Sequence, residues 1–540
     1  MADQSSKRLY QALWMSVDIL RSKMDASEYK NYLLGLVFYK YLSDKMLYHA
    51  AELLEKEVAN LNEAQRVYVD AFNDSEIKEN LIDELEYDFS YTLEPEVTFT
   101  ALVQAIDNGI FQLEDLARGF RNIEQSSEMF GNLFEDVDLY SKKLGATAQK
   151  QNQTISAVMK ELASLDIANE GDVLGDAYEY LIGQFASESG KKAGEFYTPQ
   201  PLSKLMTKIV LQGKENQKGF SVYDPTMGSG SLLLNAKKFS NELETLSYFG
   251  QELTPSTYNL ARMNMILHGV GVANQHLHNA DTLDTDWPTE EPTNFDGVLM
   301  NPPYSAKWSA NEVFMDDPRF SMYGVLAPKS KADFAFLLHG YYHLKDSGVM
   351  AIVLPHGVLF RGAAEGKIRN ILLENGSIDT VIGLPANILF GTSIPTTLII
   401  LKKNRDSKDV LFIDASNDYT KGKNRNVLED THIDKILDVY KRREDIRKYA
   451  HVANFDEIVE NDFNLNIPRY VDTFEEEEPI SLVEVAHNMQ KTQKQIAESN
   501  RILGQMVQEL TGTTKEAQQE LEQSINLLNF GSVQGGEHNE

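Results

Sequence analysis

The chain has 540 residues, too many for one ordinary hydrophobic core, so it divides into several structural regions. Lys plus Arg number 51 against 81 Asp plus Glu, a formal net charge of −30, which argues against a free-standing polyanion binder that relies on its own basic surface. There is no cysteine, which excludes disulfides, thiolate metal sites and every mechanism that needs a thiolate nucleophile.

Residues 1–165 read as a helical domain, with apolar residues at three-to-four spacing, as in Leu33, Leu34, Val37, Phe38 and Tyr41. The N-terminus has no signal-peptide apolar stretch, and the longest apolar run, Gly348 to Phe360, is broken by Pro355 and His356. The expectation is a cytoplasmic protein with no membrane partner. Near Gly171 the pattern changes. From there short β-rich runs alternate with amphipathic helices such as Ser231 to Phe239 and Tyr258 to His268. The expected strands are Ser221–Asp224, Tyr248–Glu252, His276–Asp281, Phe295–Asn301, Val349–Leu354, Thr380–Leu384 and Thr396–Leu401. Such alternation predicts an α/β domain over 171–470, with a parallel sheet covered by helices on both faces. Ligands of these sheets bind beyond the carboxyl ends of the strands.

After about 405 the composition turns polar. The cations Lys421, Lys423, Arg425, Lys441, Arg442 and Arg443, and the acidic run Glu475 to Glu478, read as solvated surface. Over 481–530 a helical tail places Leu482, Met489, Ile496, Leu503 and Leu510 seven apart, a narrow seam with Thr492 and Ser499 at companion positions. Such a helix packs on a partner or on its own domain.

The first expected strand ends in Asp224-Pro225-Thr226-Met227-Gly228-Ser229-Gly230 and leads into a helix. Glycines there allow a tight turn and close backbone approach to a ligand. Leu233 stands where a dinucleotide fingerprint needs its third glycine, and the Gly-Lys-Ser/Thr of a phosphate loop is absent. The next two strands end in Glu252 and Asp281. Three carboxylates around a glycine loop suit a cationic nucleoside without phosphate, and S-adenosylmethionine is such a ligand. The fourth strand ends in Asn301-Pro302-Pro303-Tyr304. Asn301 offers a side-chain carbonyl and Pro302 a backbone carbonyl, a rigid pair of acceptors for the two hydrogens of a planar amine, while Tyr304 can stack on the ring that bears it. His339 and His343, four apart on an expected helix, lack the intervening Glu of a zinc hydrolase and read as helix-face histidines, so no metal is expected.

These motifs resemble those of the modification (M) subunits of type I restriction–modification systems, which methylate adenine in DNA. The resemblance covers most of the chain. It includes Gly194-Glu195-Phe196-Tyr197-Thr198-Pro199 upstream of the glycine loop, the loop itself, Asn-Pro-Pro-Tyr, and Ala332-Asp333-Phe334-Ala335-Phe336. It implies a Rossmann-like S-adenosylmethionine-dependent methyltransferase sheet between an N-terminal helical domain and a C-terminal helical tail. It also implies cofactor binding by Glu195, Phe196, Tyr197, Thr198, Pro199, Asp224, Thr226, Gly228, Ser229, Gly230, Glu252 and Asp281, with Phe196, Thr198 and Pro199 bordering the methionine end. Asn301, Pro302 and Tyr304 would be catalytic, and Asp333 would lie in the helix flanking the pocket. The partners implied are a specificity (S) subunit that reads the DNA sequence, a second M subunit, a restriction (R) subunit in the full complex, and double-stranded DNA with a flipped adenine. The seam from Leu482 to Leu510 is then a candidate S-subunit docking surface. Two other readings stay open: methylation of protein glutamine or RNA, which also use Asn-Pro-Pro-Tyr, and a scaffold that has lost turnover.

Overall fold

The computed structural model describes residues 2–165, 167, 171–188, 197–284, 293–472 and 481–528. The chain divides into two compact units, Met1–Asp472 and Thr473–Glu540.

The N-terminal part of the first unit is helical and is organised around Ala26–Leu53. This helix buries Leu33, Leu36, Phe38, Tyr39, Leu42 and Met46, so it is enclosed on nearly all sides rather than lying amphipathically on a surface. Its Lys40 and Asp44, one turn apart and both buried, form an ion pair inside the helical core. The helix Gly171–Glu188 joins that core through Leu174, Tyr178, Leu181 and Phe185, and Leu260, Met263 and Leu267 of helix Pro255–Leu267 do the same.

The strands of the α/β part are β1 (Ser221–Asp224), β2 (Ser247–Glu252), β3 (Gln275–Asn279), β4 (Phe295–Met300), β5 (Leu344–Pro355), β6 (Ile378–Gly383), β7 (Thr396–Lys402), β8 (Val410–Asp414), β9 (Thr420–Lys421), β10 (Asn426–Val427) and β11 (Ala450–Ala453). Nine form one sheet in the order β11-β8-β6-β7-β5-β4-β1-β2-β3, and β9 with β10 forms a separate hairpin. The strands β3, β2, β1, β4 and β5 pair in parallel, as the alternating pattern requires. Two strands depart from the expected parallel sheet. β7 runs antiparallel between β5 and β6, because the connection 384–395 holds no helix to carry the chain back across the sheet. β11 is antiparallel to β8.

The polar composition after 405 also hides structure. β8 is buried over most of its length, and helix Asp430–Arg442 packs Ile433, Ile436, Leu437 and Tyr440 against the sheet. Arg443, expected on solvated surface, reaches Asp379 and Asp409 at 3.2 Å each. One apolar cluster lies under helices Gln200–Val210, Ser231–Phe239 and Asp430–Arg442, and another under Asp333–Tyr342 and Ala363–Glu374, so both faces are covered. From β1 the chain steps outward to β2 and β3, then returns to β4 on the other side of β1. That reversal opens a crevice beyond the carboxyl ends of β1 and β4.

The second unit contains helices Leu482–Gln508 and Lys515–Leu528. Ser481 caps the first by accepting the Glu484 N–H at 3.3 Å. Leu482, Met489, Ile496, Leu503 and Leu510 are all exposed. Glu475 to Glu478 and residues 529 and 530 lie outside the described residues. Among the described residues no helix is long and apolar enough to cross a membrane.

Candidate active site

Asp224 ends β1 and is 1% exposed. Its Oδ1 accepts from the Thr226 N–H at 2.9 Å and the Thr226 hydroxyl at 3.2 Å. Burial pushes this carboxyl up to about 7, against the opposing help of the Thr226 donors, and the nearby Glu252 charge pushes the same way. Gly230 has a φ of 76°, a left-handed conformation that suits glycine, and sits at the start of helix Ser231–Phe239 with no side chain capping it. The loop crosses β2 where Gly250 lies: a Cβ there would meet Met227 Sδ at 2.4 Å, so only a bare α-carbon allows the approach.

Glu252 ends β2 and fastens the loop from that side. Its Oε2 accepts from the Gly228 N–H at 3.2 Å and its Oε1 from the Thr254 N–H at 2.8 Å, and burial raises its pKa. Asp281 lies two residues beyond β3 instead of closing it, because β3 ends at Asn279, and its Oδ1 accepts from Leu283 N–H at 3.0 Å. The following residue, Thr282, donates its hydroxyl to the Pro225 carbonyl at 2.6 Å and so ties the β3 loop to the β1 loop. Among the described residues, two buried polar side chains in this cluster have no partner: Ser229 Oγ, and both ends of the Gln251 amide.

Beyond β4, Asn301 and Pro302 are buried while Pro303 and Tyr304 are partly exposed. Asn301 Nδ2 donates to Thr198 Oγ1 at 3.1 Å, which orients the amide, and Tyr304 Oη donates to Asn301 Oδ1 at 2.9 Å. The next residue, Ser305, has a φ of 51°, and its N–H donates to Asp333 Oδ1 at 2.8 Å. Asp333, fully buried at the start of helix Asp333–Tyr342, also accepts from Arg361 Nη1 at 2.9 Å. The turn after Asn-Pro-Pro-Tyr is thus held by an anchored carboxylate. Burial, and the Asp333 charge after it, push the Tyr304 hydroxyl pKa upward, so it stays a neutral donor.

Thr198 and Pro199 are buried just before helix Gln200–Val210, and Tyr197 packs on Phe390 with ring centroids 5.5 Å apart. Glu195 and Phe196 lie outside the described residues.

The residue that joins these pieces is one the sequence motifs do not contain. Glu179, buried on helix Gly171–Glu188, accepts from Gln200 Nε2 and from Ser231 Oγ, each at 2.6 Å, and from Asn264 Nδ2. Asn264 Nδ2 also donates to the Ser229 carbonyl at 3.0 Å. One carboxylate therefore couples the Tyr197–Pro199 segment to the glycine loop. Its only sequence signal is an acid set among the apolar residues Tyr178, Leu181 and Ile182 of one helix. Lys30, buried on the N-terminal helix Ala26–Leu53, is a second such residue: burial lowers its pKa, and the charges of Asp136 and Glu252 oppose that. His339 bonds Tyr223 Oη at 2.7 Å and Arg319 Nη1 at 3.1 Å, a buried structural role.

The arrangement combines an acidic, glycine-lined loop cluster with a rigid, oriented amide at the switch point of a parallel sheet. The N-6 DNA Methylase family model matches residues 169–479, and the HsdM N-terminal domain model matches 9–162. The chain is 34% identical over 504 residues to the type I restriction enzyme MpnII methylase subunit of Mycoplasma pneumoniae, covering 88% of this chain and 91% of that one. It is 30% identical over 486 residues to the MjaIX methylase subunit of Methanocaldococcus jannaschii, covering 85% and 83%. Among solved structures, a type I restriction-modification methyltransferase subunit from Streptococcus thermophilus is 71% identical, with a TM-score of 0.85, and covers 87% of this chain and 100% of its own. The chain belongs to the N-6 DNA methylase family, among the type I restriction-modification methylase subunits, and so to the adenine-specific DNA methyltransferases.

Proposed function

We propose that this chain methylates the exocyclic amine of adenine in double-stranded DNA, using S-adenosylmethionine, as the catalytic subunit of an assembly whose sequence specificity comes from a separate S subunit. The observation that carries this reading is the Asn301 amide. Its Nδ2 is engaged by Thr198, and its oxygen, which accepts from the Tyr304 hydroxyl, keeps a second lone pair to meet an amine.

The residues present fit the cofactor. Asp224 and Glu252 are carboxylates that burial holds at raised pKa, a condition a cation relieves. Among the described residues, Ser229 Oγ and the Gln251 amide are buried without partners, and the N–H groups at the start of helix Ser231–Phe239 have no side-chain cap. No phosphate-binding lysine stands in the loop. In this reading Asp224, Thr226, Gly228, Ser229, Gly230, Glu252 and Asp281 hold the nucleoside, and Glu195 to Pro199 border the methionine end. Bound there, S-adenosylmethionine supplies an electrophilic methyl group.

The protein's own contribution is placement. Asn301 Oδ1 and the Pro302 carbonyl accept the hydrogens of the adenine amine and favour a pyramidal nitrogen with an available lone pair. Tyr304 stacks on the flipped base. Asp333 holds the turn that carries both. No strong base is required, since the amine nitrogen becomes acidic only as it acquires its new substituent.

The assembly is proposed to contain a second copy of this chain and the S subunit, with an R subunit added for restriction, and to act in the cytoplasm. The exposed apolar seam of helix Leu482–Gln508 is the proposed S-subunit contact. The test is transfer of labelled methyl from S-adenosylmethionine to DNA, RNA and protein acceptors, by the chain alone and with the S subunit. Label on adenine of DNA in the mixture is the expected result. Label on RNA or protein, or none from the full assembly, would overturn the reading.

A further inference from the structure

One feature of the sequence remains outside this function: the cations of the β9–β10 hairpin. Between Tyr419 and Leu428 the chain holds Lys421, Lys423 and Arg425 and no acidic residue. The strands pair Asn426 with Lys421, and the Gly422 N–H donates to the Arg425 carbonyl at 3.0 Å. The hairpin is fastened to the β6–β7 connection: the Asn426 N–H donates to the Asn387 carbonyl at 2.9 Å and Asn426 Nδ2 to the Ala386 carbonyl at 2.8 Å. It is therefore a rigid presentation of three charges.

Those charges are not neutralised. Lys421 and Lys423 are exposed, and among the described residues no ion pair includes them or Arg425. Arg425 stacks on Phe390, Cζ 3.8 Å from the ring centroid, and among the described residues its buried Nη1 has no acceptor. Elsewhere in this domain Arg443 and Arg405 both pair with Asp379 and Asp409, and Lys435 pairs with Asp418.

The hairpin's position gives the charges a use. Arg425 packs on Phe390, Phe390 packs on Tyr197, and the residue after Tyr197 is Thr198, which holds Asn301. Arg425 also lines a crevice with Pro199 and Pro201. Three cations without an ion pair among the described residues, of which Arg425 is linked to that amide through Phe390, Tyr197 and Thr198, match a ligand with repeated negative charge. A guanidinium already flattened on an aromatic ring is suited to a phosphate oxygen.

We propose that Lys421, Lys423 and Arg425 grip the phosphodiester backbone of the DNA strand next to the target adenine, a sequence-independent contact that positions the base and that this subunit supplies itself. The proposal rests on the function given above. Contacts of this kind position a protein on DNA without reading its sequence.

The test uses the full chain assembled with its S subunit and compares wild type with K421A/K423A/R425A. A second variant, K421Q/K423Q, leaves the Arg425–Phe390 stack intact and guards against misfolding. The readout is DNA affinity against salt concentration. Each phosphate contact contributes about −0.9 to the slope of log K against log salt, so the slope should become shallower by about 2 to 3 in the triple variant and about 2 in the double. Affinity should fall equally on cognate and non-cognate DNA, and S-adenosylmethionine binding by the double variant should be unchanged. Unchanged slopes in variants of a wild type that methylates DNA would overturn the hairpin assignment alone. A wild-type assembly that does not methylate adenine in DNA would overturn the function and the hairpin assignment with it.

Discussion

The Tyr304 hydroxyl donates to Asn301 Oδ1 at 2.9 Å, so the side chain proposed to stack on the base already touches the acceptor proposed to hold its amine. A carbonyl oxygen has two lone pairs, and Tyr304 occupies one of them. Stacking needs the ring and not the hydroxyl. Tyr304→Phe is therefore expected to keep methylation within a few-fold of wild type, whereas Tyr304→Ala should lose about 1 to 3 kcal/mol of base stacking. Steady-state methylation of duplex DNA by the two variants checks this, and equal loss in both would assign the role to the hydroxyl.

Asn301→Ala removes the oriented acceptor but touches none of the loop contacts around Asp224 and Glu252. Turnover should fall at least a hundredfold, the range found for a single preorganised hydrogen-bonding group. Binding of S-adenosylmethionine, followed by calorimetry, should persist. Thr198→Val frees the amide to rotate and should reduce turnover by a smaller factor.

Asp224 gives the proposed cofactor site a pH dependence. Its carboxyl is held at about 7 in the folded chain against an ordinary 3.8, so the folded state binds the proton more tightly than the unfolded one. The resulting stability is fully present below about pH 4 and is lost as pH rises through 7, a difference of about 4 kcal/mol for the cofactor-free chain. A cationic ligand needs the ionised form. Affinity for S-adenosylmethionine is expected to rise from pH 6 to pH 8, with proton release on binding, seen by calorimetry in buffers of different ionisation enthalpy. Asp224→Asn should weaken binding and flatten the profile.

Glu179 accepts from Gln200, Ser231 and Asn264 in a buried setting. Glu179→Ala leaves these donors short of an acceptor, at about 1 to 3 kcal/mol for each that finds no replacement. The variant should unfold at lower temperature and bind S-adenosylmethionine more weakly, because the loop and the Tyr197–Pro199 segment lose their common support. Differential scanning calorimetry with and without the cofactor separates the two effects: a purely structural role would lower Tm and leave the ligand-induced increment unchanged.

Truncation after Asp472 removes helices Leu482–Gln508 and Lys515–Leu528 without cutting into the first compact unit. The shortened chain should fold and bind S-adenosylmethionine like wild type but fail to co-purify with the S subunit. Retained co-purification would remove the seam from the proposed interface.

Much of the fold was legible in the sequence because it is written in short-range patterns. β1 has the expected bounds, and the other six expected strands lie within five residues of theirs at each end. β-branched and apolar runs bounded by turn residues state their conformation locally. The glycine loop and Asn-Pro-Pro-Tyr were legible for the same reason, since tight turns and rigid acceptors demand particular residue types at adjacent positions. β8 is masked in the sequence because its five residues sit between the charged segments Lys402 to Asp409 and Asp418 to Arg425, which dominate the local composition.

The supports of the site could not be read this way. Glu179 reaches Ser231 across 52 positions, Asp333 reaches Ser305 across 28, and Thr198 meets Asn301 across 103. Nothing in a Glu on an apolar helix face names its three donors, and nothing in Tyr304 announces that its hydroxyl turns back to Asn301. Composition and local pattern determine which segments become strands, turns and helices, because steric and hydrogen-bonding preferences act over a few residues. Which side chains then meet is decided by packing, where burial without a partner is costly and each polar group settles on whatever donor or acceptor the assembled layers bring within reach.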